Sequence, residues 1–213
     1  MAPPVPTILV IASGNAGKIR EFANLLADLP LEIRAQPEGL EVEETGNTFA
    51  ENARLKATAV ALATGCWALA DDSGLAVEAL GGAPGVHSAR YAATDPERIA
   101  RLLQELAAAS PQTTETTRDS AAAGPNRRAQ FSAALALADP DGAIRLEVEG
   151  HCPGLILEEP RGRGGFGYDP VFYVPEAGLS FAEMDKATKG RIGHRGRAFA
   201  LLEPQLRQLL GAG

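Results

Sequence analysis

Asp71-Asp72, followed by Ser73-Gly74 and flanked by apolar Leu69, Ala70 and Leu75, are the side chains best suited to chemistry. Adjacent carboxylates at a strand end can hold a divalent metal beside phosphates, and the apolar flanks put them at the edge of a core. A solvated cap is the alternative. Glu43-Glu44-Thr45-Gly46 is a second acidic pair on a turn, or simply a solvated loop. Ser13-Gly14-Asn15-Ala16-Gly17-Lys18 joins an apolar run to a helix, where backbone N–H groups, the helix N-terminus and an ammonium favour a phosphate. It is no Walker A loop, because Ala12 stands where the first Gly belongs and Ile19 where the Ser/Thr belongs. An ordinary strand-to-helix turn has the same residues.

Further along, Gly164-Gly165-Phe166-Gly167-Tyr168-Asp169-Pro170 brings two aromatics and an acid into a segment able to approach a planar ligand closely, or to plug a turn. Lys189, His194 and Arg195, interleaved with Gly190, Gly193 and Gly196, can direct cationic donors at a carbonyl or at phosphates; an exposed basic helix start is the other reading. Gly81 to Gly85 with Ser88-Ala89-Arg90-Tyr91 reads as backbone packed closely near a ligand, or as a plain loop. The histidines, His87, His151 and His194, are not paired at zinc-ligand spacing, which disfavours a zinc site.

These residues need a frame. Thr7 to Ser13 is a branched apolar run, the mark of a strand buried on both faces. Ile19, Phe22, Leu25, Leu26 and Leu29 recur at helical spacing until Pro30, and Leu31 to Ala35 reads as a second strand. Thr48-Phe49-Ala50-Glu51 is a capping box opening a helix through Asn52, Leu55, Lys56, Val60 and Leu62 to the Gly65 terminator, with a short strand from Trp67 to Ala70 behind it. Asp95-Pro96 starts a helix buried along Ile99, Leu102, Leu103 and Leu106. About 109–128 reads as a flexible surface insertion carrying no chemistry. Phe131 to Leu137 and Ile144 to Val148 form a hairpin over Asp139-Pro140-Asp141-Gly142, which Leu155 to Leu157 and Val171 to Val174 extend to a second sheet. A Ser180/Glu183 box precedes the last helix, with Phe199, Leu201, Leu202, Leu206 and Leu209. The alternation makes the chain α/β.

The 213 residues suffice for one domain, or two small lobes sharing a site. With 45% hydrophobic and 22% charged residues the chain can bury a core without staples. Lys+Arg total 20 against 27 Asp+Glu; a net charge of −7 disfavours wrapping a duplex but leaves room for a local cationic pocket. Isolated Cys66 and Cys152 suit small core positions and a reducing cytoplasm. Met1 to Pro6 has no basic n-region, so no signal peptide is expected, and no run of about 18 apolar residues exists to span a membrane.

In order, Ser13 to Lys18 with Glu21, Glu43-Glu44-Thr45-Gly46 to Asn52, Ala70 to Leu75, Gly81 to Tyr91, Gly165 to Pro170 and His194-Arg195-Gly196 resemble the noncanonical purine NTP pyrophosphatases, the inosine triphosphatase (XTP/dITP diphosphatase) family. The resemblance covers about residues 7 to 210. It implies a single domain over 1–213, an elongated two-lobed mixed-sheet α/β fold, and an active site in the cleft between interleaved lobes. It also implies Mg²⁺-dependent hydrolysis of ITP, dITP or XTP to the monophosphate and pyrophosphate by a cytoplasmic homodimer, with no nucleic acid or membrane partner. By position, Ser13, Gly14, Asn15, Ala16, Gly17 and Lys18 would cradle the triphosphate, with Lys56 adding charge. Glu43 and Asp72 would hold Mg²⁺, Asp72 would accept the proton of the attacking water, and Ser73 would touch the substrate. Phe166 would stack on the purine beside Gly167, Tyr168 and Asp169, while Lys189, His194 and Arg195 would contact the base. Lys189 is chosen over Lys186 by its distance from His194, and Glu43 over Glu44 and Asp72 over Asp71 by register.

Overall fold

The structure, a computed structural model, describes residues 7–109 and 126–209. The insertion expected over about 109–128 therefore falls mostly outside the described residues, as does the segment Met1 to Pro6. Among the described residues the strands join in one seven-stranded sheet of order β2-β1-β3-β4-β5-β6-β7, so the hairpin strands continue the first sheet through the β3–β4 pairing rather than founding a second one. Its strands are β1 (Thr7–Ala12), β2 (Leu31–Ala35), β3 (Trp67–Val77), β4 (Arg128–Ala138), β5 (Ile144–Ile156), β6 (Phe172–Val174) and β7 (Leu179–Ser180). The helices are α1 (Ala16–Leu25), α2 (Phe49–Thr64), α3 (Asp95–Ala108), α4 (Lys186–Ile192) and α5 (His194–Leu209). β1 pairs in parallel with β2 and β3, whereas β5, β6 and β7 pair antiparallel, so the sheet is mixed.

Contacts divide the chain into two compact units, Met1–Ser73 with Ser132–His151 and Ala187–Gly213, and Gly74–Phe131 with Cys152–Lys186. In the first unit, the period of two along each strand splits the core in two. Leu9, Ile11, Leu69, Leu135 and Leu137 pack against Phe22 and Leu26 of α1 and Phe199, Leu202 and Leu206 of α5. Val10, Ala12, Ala68, Ala70, Ala134 and Ala136 instead meet Ala53, Ala57, Val60 and Ala61 of α2. Alanines on both sides of that second interface let helix and sheet lie close, which brings short polar side chains of α2 within reach of β3. In the second unit Phe131, Phe172 and Phe181 form an aromatic cluster with ring centroids 4.7 to 5.7 Å apart.

Several elements outrun the sequence patterns. The strand expected to end at Ala70 continues through Asp71-Asp72-Ser73-Gly74 to Val77. Leu155 and Ile156 are the end of β5 itself rather than a separate strand. Ser180 and Glu183 do interact, the Ser180 N–H donating to Glu183 Oε2 at 2.8 Å, but they close a turn; the helices begin only at Lys186 and His194. Cys152 is buried and Cys66 half-buried. Among the described residues no helix is long and apolar enough to cross a membrane.

Candidate active site

The turn after β1 is built by Asn15. Its side-chain oxygen accepts the N–H groups of Gly17 at 2.8 Å and Lys18 at 3.2 Å, and its own N–H donates to Ser13 Oγ at 3.1 Å. The first donors of α1 are thereby capped, and Lys18 is set in the first turn, facing β3. Lys18 Nζ lies 2.7 Å from Asp71 Oδ2 and donates to the Asp71 carbonyl at 3.3 Å.

Because Asp71 and Asp72 sit inside a strand, their side chains leave opposite faces of the sheet. Asp71 and Ser73 share the face toward α1 and α5: Asp71 Oδ2 also accepts from Ser73 Oγ at 3.1 Å and from Arg195 Nε at 3.2 Å. Arg195 donates further to Ser73 Oγ at 2.6 Å and to Glu21 Oε2 at 2.8 Å, and Glu21 Oε1 lies 3.0 Å from Lys189 Nζ. Asp72 faces α2, accepting from Lys56 Nζ at 3.0 Å and Asn52 Nδ2 at 3.1 Å. Lys56 spans the two faces, donating also to the Asp71 carbonyl at 3.0 Å and to Glu44 Oε1 at 2.7 Å. Adjacent acids are thus not a two-carboxylate clamp. Each organises its own cations.

Burial works against charge here, and the partners decide which side wins. Burial raises the Asp71 carboxyl, but Arg195 and Lys18 outweigh it and hold it below the usual range; Arg195 and Lys189 do the same for Glu21. Burial lowers Lys56, yet Asp72 and Glu44 leave it raised. Lys18 is lowered, since burial and the neighbouring Arg195 and Lys56 exceed the pull of Asp71. His194, buried at the start of α5 next to Arg195, is pushed well below its ordinary value and is neutral at neutral pH.

Of the expected residues, Ser13, Lys18, Lys56, Asp72, Ser73, Lys189, His194 and Arg195 all fall in the first unit, most of them in this network. Lys186 is exposed while Lys189 is half-buried on Glu21. Glu43 is exposed, and its neighbour Glu44 is the one paired with Lys56. Phe166, Gly167, Tyr168 and Asp169 belong to the second unit. There Phe166 N–H donates to Asp169 Oδ2 and Gly167 N–H to Asp95 Oδ2, both at 2.8 Å, while buried Tyr168 donates to the Ser88 carbonyl at 3.0 Å. Sequence reasoning gave no role to Glu21, Asn52 or Asp95.

α5 reaches β5 and α4 only because glycine stands at the contacts. A Cβ on Gly150 would meet Ala198 N at 2.2 Å, and one on Gly196 would meet the Gly190 carbonyl oxygen at 1.7 Å. Among the described residues no group of three or more His, Cys, Asp or Glu gathers as a metal cage. A Mg²⁺ site needs none, since that ion takes one or two carboxylates together with phosphates and waters. The donors suit it. Asp71 Oδ1 is buried without a hydrogen-bond partner, and the Lys56 ammonium already lies between oxygens of Glu44 and Asp72.

A buried network of alternating cations and carboxylates beside a strand-to-helix turn, on a mixed α/β sheet, defines a phosphate-handling enzyme. The Ham1 family model matches residues 9–205, and the chain belongs to the Ham1 family. It is 63% identical to the dITP/XTP pyrophosphatase of Parasynechococcus marenigrum (strain WH8102), covering 96% of this chain and 97% of that one. It is 54% identical to the dITP/XTP pyrophosphatase of Nostoc sp. (strain PCC 7120 / SAG 25.82 / UTEX 2576), over 96% and 97%. The solved Ham1 protein of Coxiella burnetii superposes with a TM-score of 0.80 at 43% identity, covering 95% of this chain and 99% of that one.

Proposed function

We propose that this chain hydrolyses noncanonical purine nucleoside triphosphates, ITP, dITP and XTP, to the monophosphate and pyrophosphate, clearing deaminated purines from the nucleotide pool. The observation that carries the reading is the pairing of Asp72 with Lys56, and of Asp71 with Lys18, beside the Ser13 to Lys18 turn. Ser13, Gly14, Asn15, Ala16, Gly17, Lys18 and Lys56 bind the triphosphate, whose oxygens accept from the N–H groups of the turn and from the two ammonium groups. Ser73 touches the substrate. Asp72 orients the attacking water and takes its proton as the water oxygen bonds to the α-phosphorus and the bond to the departing pyrophosphate breaks. Glu43 and Asp72 hold Mg²⁺, which when bound offsets the negative charge of the phosphates and of the leaving pyrophosphate. The protein acts as a homodimer in the cytoplasm, without nucleic acid or membrane.

Phe166, with Gly167, Tyr168 and Asp169, takes the purine ring, and Lys189, His194 and Arg195 contact its edge. Inosine and xanthosine present a carbonyl acceptor at the 6-position and adenosine an amino donor. Cationic donors from Lys189 and Arg195 would face another donor in ATP, and each buried polar group left unpaired costs about 1–3 kcal/mol.

Incubating the protein with ITP, XTP, dITP, GTP and ATP, with Mg²⁺ or EDTA, and separating pyrophosphate from orthophosphate tests this. Pyrophosphate with IMP or XMP, lost in EDTA and scarce with ATP, is the expected result; orthophosphate with a diphosphate product would place attack at the γ-phosphorus and refute the reading. Asp72→Asn is expected to lose about 10²–10⁴ in kcat with an unchanged circular dichroism spectrum. Full activity in that variant would remove Asp72 from the mechanism.

A further inference from the structure

Asn52 is fully buried in α2, one turn before Lys56 and at the edge of the alanine-lined face that packs against β3. A primary amide in such a place needs partners at both ends. It has them: its Oδ1 accepts the Gly46 N–H at 2.8 Å and its Nδ2 donates to Asp72 Oδ2 at 3.1 Å. A main-chain N–H donates and an ionised carboxylate accepts, so the two bonds also fix which way round the amide stands. Asp72 is then held from two sides, by Asn52 on one oxygen and by Lys56 on the other.

Gly46 completes the joint. A Cβ there would stand 2.6 Å from Glu51 Cβ and 2.7 Å from Asn52 Oδ1, so a larger residue would push the amide away. The following residues are pinned as well, since Asn47 N–H and Thr48 N–H both donate to Glu51 Oε2, at 2.6 and 3.2 Å. The loop carrying Glu43 and Glu44 therefore enters α2 along a fixed path, joined to Asp72 from its backbone through Asn52 and from the Glu44 carboxylate through Lys56.

We infer that Asn52 is a positioning residue, which ties the acidic loop at 43–46 to Asp72 so that their carboxylates form one preset donor group for a divalent cation. The inference rests on the proposed reading of Glu43 and Asp72 as the Mg²⁺ ligands. Groups that orient metal-binding side chains commonly change affinity by about 10–100-fold when removed, even though they never touch the ion. A residue that only filled the core would change stability and leave cation affinity alone.

Asn52→Ala removes the amide, and Gly46→Ala disturbs the same joint from the loop side while keeping Asn52. Mn²⁺ is titrated against each folded protein without nucleotide, free Mn²⁺ being read by electron paramagnetic resonance, and the Mg²⁺ dependence of pyrophosphate release from ITP is measured in parallel. In both variants the Mn²⁺ half-saturation is expected to rise by about tenfold or more, the Mg²⁺ requirement with it, and the preference for ITP over ATP to stay at the parent value. If Asn52→Ala fails to fold, Gly46→Ala decides alone. Unchanged Mn²⁺ affinity in the folded variants overturns the role of Asn52 while the parent enzyme still releases pyrophosphate. A parent protein that releases none would instead sink the functional reading.

Discussion

Asp71 and Asp72 are neighbours with different duties. Asp71 gathers Lys18, Arg195 and Ser73 on one carboxylate oxygen inside the protein, and without it Lys18 would lose its carboxylate while Arg195 kept only Glu21. Asp71→Ala is expected to cost about 3–5 kcal/mol, read as a lowered urea midpoint, whereas Asp72→Asn is expected to lose about 10²–10⁴ in kcat at little cost in stability. An Asp71→Ala protein as stable as its parent would mean that Lys18 and Arg195 find other counter-ions. The acidic pair was legible in the sequence as a pair, and so were most of the cations that surround it. Its division of labour was not, because that depends on whether the chain at Ala70 stops or runs on: in a turn the two carboxylates can converge, in a strand they must diverge. Glu21 was hidden for another reason. One acid on an amphipathic helix looks like its solvent face until Lys189 and Arg195, far away in sequence, are seen to meet it.

Elements with local chemistry at their ends were legible, and those whose length is set by partners were not. Helix α2 begins at its Thr48/Glu51 capping box and ends on Gly65 in the left-handed conformation, both readable from neighbouring residues. Asp71-Asp72-Ser73-Gly74 has the composition of a turn, yet stays extended with its acids paired to Lys18, Lys56 and Arg195. The Ser180/Glu183 pair shows the reverse: the capping signature is present, but no helix follows directly. The glycines among the basic residues were read only as spacers between them, whereas Gly196 serves by having no side chain where α4 crosses α5. Gly196→Ala is expected to lower stability by about 1–3 kcal/mol through overpacking, and to raise KM for ITP more than it lowers kcat, because the strain falls beside Arg195. A thermal midpoint equal to the parent's would show that the two helices separate freely.

Across the molecule, a net charge of −7 coexists with a site where Lys18, Lys56, Lys189 and Arg195 are each matched to a buried or half-buried carboxylate. Such matching lets the protein keep cations ready for a triphosphate without a surplus of positive charge, and near His194 the pull of Asp71 is outweighed by burial and Arg195. Burial first, and then Arg195, depress that imidazole well below 6.5, so the unfolded chain binds a proton there that the native protein refuses. With a depressed native value, the contribution of His194 is complete above about pH 6.5 and shrinks as the pH falls, at up to about 1.4 kcal/mol per pH unit. Asp71 and Glu21, also depressed, begin to lose their contributions only near their ordinary values of 3.8 and 4.5, so the interval between about pH 6.5 and 4.5 isolates the histidine. Urea midpoints should therefore fall across that interval for the parent protein and hold nearly level in His194→Gln, which carries no titrating group. Parallel slopes in the two proteins would transfer the effect to another group and remove His194 as the source of acid sensitivity.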